Sequence, residues 1–169
     1  MNQKTFIGVV NPVKDKMYRL ALRLLISKDS AEDATQEVLL KLWNRKNKLK
    51  DYANIEAFAM TVTKNYCLDQ LKSKQNSNLK IVHTNYESQD KSAFDQLESN
   101  DRLKVISQIL ETLPEQQKLI FQLRDIEEYE YEEISKVMNM NETAIRVSLS
   151  RARKKIRVEL LKQDSYGII

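Results

Sequence analysis

From Met17 to Ile26 apolar side chains return every three or four positions, at Met17, Leu20, Ala21, Leu24 and Leu25, with polar residues between them. A helix of 3.6 residues per turn gathers such positions on one face, so the pattern predicts an amphipathic helix laid against a core. The run breaks at Ser27-Lys28-Asp29-Ser30. Ser30 is placed to cap a second helix, from Ala31 to about Arg45, with Glu32 and Asp33 in its first turn, where carboxylates complement the helix dipole. Along this helix Ala34, Val38 and Leu42 share a stripe with Leu39 and Trp43 beside them, while Asp33, Gln36, Glu37 and Lys41 lie largely on the other side. A third helix is predicted over Ile55–Lys74, with Ala57, Phe58, Val62, Leu68 and Leu71 as its apolar positions. Three helices of this length close one small bundle.

From Gln75 to Asn100 the chain is rich in Gln, Asn, Ser and Asp and loses its period. This predicts a flexible linker over residues 76–100 between an N-terminal domain, 1–75, and a C-terminal domain, 101–169. Periodicity resumes at Leu103, Ile106, Ile109 and Leu110; Pro114 suits the first position of a further helix, whose apolar face is Leu119, Ile120 and Leu123. Between Tyr131 and Arg157, Ile134, Val137 and Met138 form a patch on a short helix, and Ile145, Leu149, Ala152 and Ile156 line a longer one. Asn139-Met140-Asn141 stands between them: Asn139 where a left-handed residue is wanted, Asn141 where an N-cap is wanted. That is helix-turn-helix spacing. With only 2 Gly and 2 Pro in 169 residues, the fold expected is all-α, in two small helical domains.

Charge refines the picture through its distribution rather than its total of +4. Residues 111–133 carry eight acids against two bases, a net of −6, and residues 141–162 carry seven bases against two acids, a net of +5. A polyanion is drawn to the second stretch and repelled by the first. In a helix-turn-helix the second helix enters the major groove. Asn141, Glu142, Thr143, Arg146, Val147 and Ser148 would then face bases, and Arg151, Arg153, Lys154 and Lys155 would lie nearer phosphates. Arg146 is the best single candidate for base readout, because a guanidinium bonds guanine bidentately. Spacing and charge alone also fit a helical hairpin whose basic face is merely solvated.

The chemistry excluded is broad. One cysteine, Cys67, forms no internal disulfide, and the single histidine, His83, has no ligand cluster beside it, so no metal site is expected. There is no glycine-rich phosphate loop and no nucleophile motif, and the acids of 125–133 read as a solvated helix end; neither an enzyme nor a cofactor is expected. No leader-like segment opens the chain and no run approaches the roughly 20 apolar residues of a membrane span, so a cytoplasmic protein is expected.

Three stretches resemble one family. LETLPEQQKLIFQLRDIEEYEYEEISKVMNMNETAIRVSLSRARKKI resembles the promoter-binding region 4 of sigma factors of the extracytoplasmic-function group, with LPEQQ, YEEI and LSRARKKI in the family's order. AEDATQEVLLKLW resembles the family's helix that docks on the clamp coiled coil of core RNA polymerase. That resemblance implies docking roles for Asp33, Gln36, Glu37, Lys41 and Trp43, and an acidic, polar face backed by an apolar stripe is what a transient docking surface requires. NIEAFAMTVTKNYCLDQLK resembles the segment that melts and reads the minus-ten element. It implies that Phe58 stands where the family often has Trp, that Asn65 helps hold a flipped-out base, and that Lys64, Lys72 and Lys74 follow phosphates. A core role for Phe58 fits its neighbours Ala57 and Val62 equally well.

Two positions depart from the family pattern: Ser148, where relatives are often basic, and Asn139, at the glycine of the turn. The resemblance covers roughly residues 15–74 and 105–160. It implies core RNA polymerase, promoter DNA and a membrane-anchored anti-sigma factor as partners. The rival reading is a helix-turn-helix regulator that needs only duplex DNA and replaces no sigma factor.

Overall fold

A computed structural model describes residues 1–80, the last five by backbone alone, and residues 101–166. Every element among the described residues is helical, and the chain divides into two compact units, Met1–Ser92 and Ala93–Ile169.

The first unit is a bundle of α1 (Gln3–Leu25), α2 (Lys28–Asn44), the single turn α3 (Lys46–Leu49) and α4 (Ile55–Lys80). Helix α1 begins well before the expected Met17, because Asn2 caps it: the Asn2 carboxamide oxygen accepts from the Thr5 amide at 2.8 Å. Phe6, Val10 and Val13 extend the stripe of Met17, Leu20, Ala21 and Leu24, and all are buried. Gly8 and Pro12 interrupt the sequence pattern but sit on the solvent face, where the Gly8 carbonyl that Pro12 cannot bond lies on the exposed side of the helix. Helices α2 and α4 both pack on α1, and Met17, Leu20, Val38, Leu42, Leu49 and Met60 make the centre of the core. Each such side chain contributes about 1.5–3 kcal/mol on burial. Leu49 anchors α3, a turn too short for any period to reveal.

Helix α2 starts three residues before the expected position, and its cap is Ser27, whose Oγ accepts from the Ser30 amide at 3.3 Å. The connection ahead of it explains the shift. Ile26 has φ 65° and ψ −37°, and the Ser27 amide reaches back to the Leu25 carbonyl at 2.7 Å, closing a classical γ-turn on a β-branched residue. This abrupt reversal frees Ser27 to cap, and it leaves the Ile26 side chain 51% exposed.

The buried face of α4 is Ala57, Ala59, Met60, Thr63, Lys64 and Cys67. Of the expected apolar positions only Ala57 belongs to it; Phe58, Val62, Leu68 and Leu71 are half-buried. The Thr63 hydroxyl donates to the Ala59 carbonyl at 2.8 Å and so enters the core satisfied, which lets a polar residue share this face. Helix α4 also runs to Lys80, past the expected end at Lys74 and into the first residues of the expected linker, since neither Gly nor Pro intervenes. The remainder of that linker, 81–100, lies outside the described residues, as does His83.

The second unit holds α5 (Asp101–Glu111), α6 (Glu115–Phe121) running on as a π-helical turn over Gln122–Ile126, α7 (Tyr131–Met138) and α8 (Glu142–Ser165). Pro114 is the N-cap of α6 rather than its first residue. Helix α8 serves two cores. Its Ala152 and Ile156 pack with Ile109, Leu110 and Leu113 around α5. Its Ile145 and Leu149 are buried with Leu119, Ile120 and Leu123 before the motif and with Ile134 and Val137 of α7. Leu103, first in the expected stripe of α5, is instead exposed. The π-turn precedes Glu128, a non-glycine residue at φ 61°, and the buried Gln122 amide donates to the Glu127 carboxylate at 3.2 Å.

Replacing Ile26 with Gly should raise stability by about 1 kcal/mol, because glycine accepts positive φ without strain. Urea denaturation measures it, and an unchanged or lower midpoint would show that the turn stores nothing. Burial pushes the Cys67 thiol up to about 12. The unfolded thiol ionises near about 8.5, so this group's contribution to stability is complete below that pH and is lost as pH rises towards the folded value. Ellman's reagent at pH 8 should leave Cys67 unmodified until urea unfolds the bundle; fast labelling of the folded protein would contradict the packing.

Candidate nucleic-acid and protein interfaces

The turn of the helix-turn-helix forms as its residues dictate. Asn139 adopts φ 51° and ψ 50°, the left-handed conformation that ends α7. The Asn141 carboxamide oxygen then accepts from the Ala144 amide at 2.8 Å and starts α8. With Ile145, Leu149, Ala152 and Ile156 turned inward, Asn141, Thr143, Arg146, Val147, Arg151, Arg153 and Lys154 are exposed, and Glu142 and Ser148 are half-buried.

These exposed side chains are not equivalent. The Arg146 guanidinium lies 4.1 Å over the Tyr131 ring and 3.3 Å from the Glu142 carboxylate. Arg153 donates twice to Asp125, at 2.9 and 2.5 Å, and its pKa is held above the ordinary value, first by that hydrogen bond. Lys155 donates to the Thr112 carbonyl at 3.0 Å, near the end of α5. Arg153 and Lys155 are therefore engaged within the unit, whereas Arg151 and Lys154 make no ion pair with the described residues. Part of the acidic stretch is engaged in the same way: Asp125 holds Arg153, Glu130 lies 3.5 Å from Arg124, Glu132 pairs with Lys136 at 3.2 Å, and Glu133 accepts from the Glu130 amide at 3.0 Å.

On the first unit, Asp33, Gln36, Glu37 and Lys41 line the exposed side of α2. Trp43 is half-buried, edge-on to Phe6 at 5.0 Å and covered by the Lys46 ammonium at 3.8 Å from its ring. It floors a groove of about 540 Å³ between α1 and α2, lined also by Phe6, Ile7, Gln36 and Leu40. Leu40, 56% exposed at the rim, is an apolar residue on the polar side of its helix, and that misplacement is the one sequence signal for the groove.

A second groove, of about 220 Å³ between α2 and α4, brings together Lys41, Arg45, Phe58, Asn65, Tyr66 and Asp69. Phe58 stacks on Tyr52 at 4.0 Å and 17°, so it is neither core nor free. The Lys41 ammonium lies 4.6 Å over the Tyr66 ring. Burial raises the Tyr66 hydroxyl pKa, aided by the charge of Glu37 and, less, of Cys67 and Asp33. Asn65 is exposed at this groove and Lys72 and Lys74 are exposed further along α4. Lys64 is not on that surface: it faces the core, and desolvation lowers its pKa. The sequence pattern misses Arg45, Tyr66 and Asp69, because only folding brings the end of α2 against α4.

A helical bundle with two grooves beside α2 is thus joined in one chain to a helix-turn-helix unit with an exposed basic face. The family models agree with this order: sigma-70 region 2 matches residues 9–77 and sigma-70 region 4 matches residues 103–156. The chain belongs to the sigma-70 family of RNA polymerase sigma factors, in its extracytoplasmic-function (ECF) group. The ECF RNA polymerase sigma factor SigE of Mycolicibacterium smegmatis is 26% identical over 155 residues, which cover 89% of this chain and 60% of SigE. RNA polymerase sigma factor SigV of Bacillus subtilis is 26% identical over 151 residues, covering 89% of this chain and 88% of SigV. The fold is shared with sigma factor RpoE solved with the anti-sigma factor NepR from Bartonella quintana, at TM-score 0.75, 20% identity and coverage of 93% of this chain and 97% of that one. It is shared too with CnrH solved with the cytosolic domain of CnrY, at TM-score 0.68, 18% identity and coverage of 96% and 91%. Among the described residues no helix is long and apolar enough to cross a membrane.

Asn141→Ala should destabilise the second unit by about 1 kcal/mol through loss of the cap. Thermal unfolding followed by circular dichroism measures this, and an unchanged transition would show that water replaces the carboxamide without cost.

Proposed function

We propose that this protein acts in the cytoplasm as a transcription initiation factor: it binds core RNA polymerase, opens the minus-ten region of a promoter and reads the minus-thirty-five element. The observation that carries this reading is the succession of regions 2 and 4 of one family, each with its charged face exposed. The first domain, taken as residues 1–75, docks through Asp33, Gln36, Glu37 and Lys41, with Trp43 and Leu40 supplying an apolar anchor beside them. The groove of Phe58 and Asn65 suits an extruded base, since Tyr66 and Phe58 offer faces to stack on and Asn65 and Asp69 offer polar atoms for a base edge. Lys72 and Lys74 follow the strand's phosphates; Lys64, being buried, is left out of this contact.

In the second domain, 101–169, α8 enters the major groove. Arg146 bonds guanine, the exposed methyls of Val147 meet a thymine methyl, and Asn141, Glu142, Thr143 and Ser148 complete the face towards bases. Arg151 and Lys154 contact phosphates, and Arg153 holds α8 to the π-turn through Asp125. The segment that follows α4 tethers two modest DNA contacts, which then act together only on polymerase. The role is binding rather than catalysis. RpoE and CnrH are each solved with a partner, NepR described as an anti-sigma factor and the cytosolic domain of CnrY. By analogy this chain is held inactive by a membrane-anchored anti-sigma factor.

Gel filtration with bacterial core RNA polymerase, followed by transcription from a pool of genomic fragments, tests the reading. Co-elution with selective initiation is expected; tight duplex binding without polymerase binding would favour the helix-turn-helix regulator. Asp33→Lys with Glu37→Lys should abolish co-elution while the helical signal and melting are unchanged. Arg146→Ala should relax discrimination at one minus-thirty-five base by about 1–3 kcal/mol, and an unaltered base preference would reject Arg146 as the reader.

A further inference from the structure

Arg146 is the one basic residue in the first two turns of α8, from Glu142 to Ser148, yet a long arginine on an open helix face is conformationally loose. The main restraint on it lies outside α8. The Tyr131 ring, at the first residue of α7, sits 4.1 Å under the Arg146 guanidinium. The Arg124 guanidinium lies 4.7 Å from the same ring. Arg124 is itself tied, its Nη1 donating to the Tyr129 carbonyl at 2.7 Å. Arg153, further along α8, is locked by two bonds to Asp125. The ring is thus held by the tied Arg124 of the π-turn, and the exposed Arg146 is the member of the set open to solvent.

We infer that Tyr131 is a positioning residue for base recognition: its restrained ring is a shelf that orients the Arg146 guanidinium before DNA arrives. This rests on the assignment of α8 to minus-thirty-five readout. A guanidinium over an aromatic face keeps its donors available, because the ring takes the guanidinium's face and the donors lie in its plane; here one of them, on Nη1, is shared with Glu142 at 3.3 Å. Bidentate bonding to guanine uses those donors. Holding the group in place beforehand lowers the ordering cost of the contact and excludes orientations that would accept other bases. The exposed ion pair with Glu142 restrains it less, since such surface pairs contribute little.

Holoenzyme reconstituted from the full chain and core polymerase, transcribing templates randomised over the minus-thirty-five element, tests this. Tyr131→Phe keeps the ring and should retain the base preference. Tyr131→Leu should lower preference about two- to five-fold at the single base that Arg146→Ala also affects, the range of an exposed cation–π contact. Total transcription and its salt dependence should change little, and the double variant should match Arg146→Ala alone. Should Tyr131→Leu melt too low to assay, Arg124→Met loosens the ring and should produce the same single-base loss in smaller degree. An Arg146→Ala effect without any effect of Tyr131→Leu or Arg124→Met overturns the shelf while leaving the reader in place. Equal losses in Tyr131→Phe and Tyr131→Leu, or a loss spread evenly over all positions, overturn it too. No base-specific effect of Arg146→Ala removes the reading on which the inference stands.

Discussion

One apolar stripe, Ile145, Leu149, Ala152 and Ile156, decides which face of α8 meets solvent, and the second unit depends on it. The same helix is claimed at one end by the motif core and at the other by α5. Rolling α8 to expose a different set of residues would break both packings together, at several kcal/mol for each large side chain withdrawn. The exposed basic face is therefore as rigid as the core beneath it. The left-handed Asn139 and the capping Asn141 set where this helix begins; the stripe sets how it is turned.

The abrupt change of charge along the second domain follows from this arrangement. A basic helix needs cations on its open face, but seven cations on one helix repel one another. The acids that precede it in sequence are folded back against it or against their own helix, with Asp125 gripping Arg153 and Glu130 near Arg124. The result separates cations into two groups. Some, like Arg153 and Lys155, fasten elements to each other, and others, like Arg151 and Lys154, remain for an external anion. Total charge says nothing about this division.

In the first unit the corresponding constraint is the fit of α1 against both α2 and α4. The γ-turn at Ile26 brings α2 back along α1 with almost no connecting chain, and backbone strain there is offset by burial along the whole of α1. Because α2 contacts both neighbours, its outer face borders a groove on each side, one apolar with Leu40 and Trp43, the other lined by aromatic and polar groups. A single helix thus borders both grooves.

Several features are legible in the order of residues alone. The all-helical class, the helix-turn-helix, the roles of Asn139 and Asn141, and the polar face of α2 all rest on periods and on side-chain chemistry within a few residues, and local interactions determine them. The pattern misses the first half of α1, where Gly8 and Pro12 on the solvent side disguise a continuous stripe. It also turns α4 wrongly, since Thr63 and Lys64 look like surface residues and the larger Phe58 and Val62 look like core. Which side of α4 is buried depends on what packs there, and small Ala57 and Ala59 let α1 approach closely where bulkier neighbours would not. Short-range chemistry along the chain is thus enough to set the elements, most of their caps and the functional groups on offer. The burial of Lys64, the hold of Asp125 on Arg153 and the place of Tyr131 beneath Arg146 come from packing in three dimensions, because those pairings join residues from different helices and no local period records them.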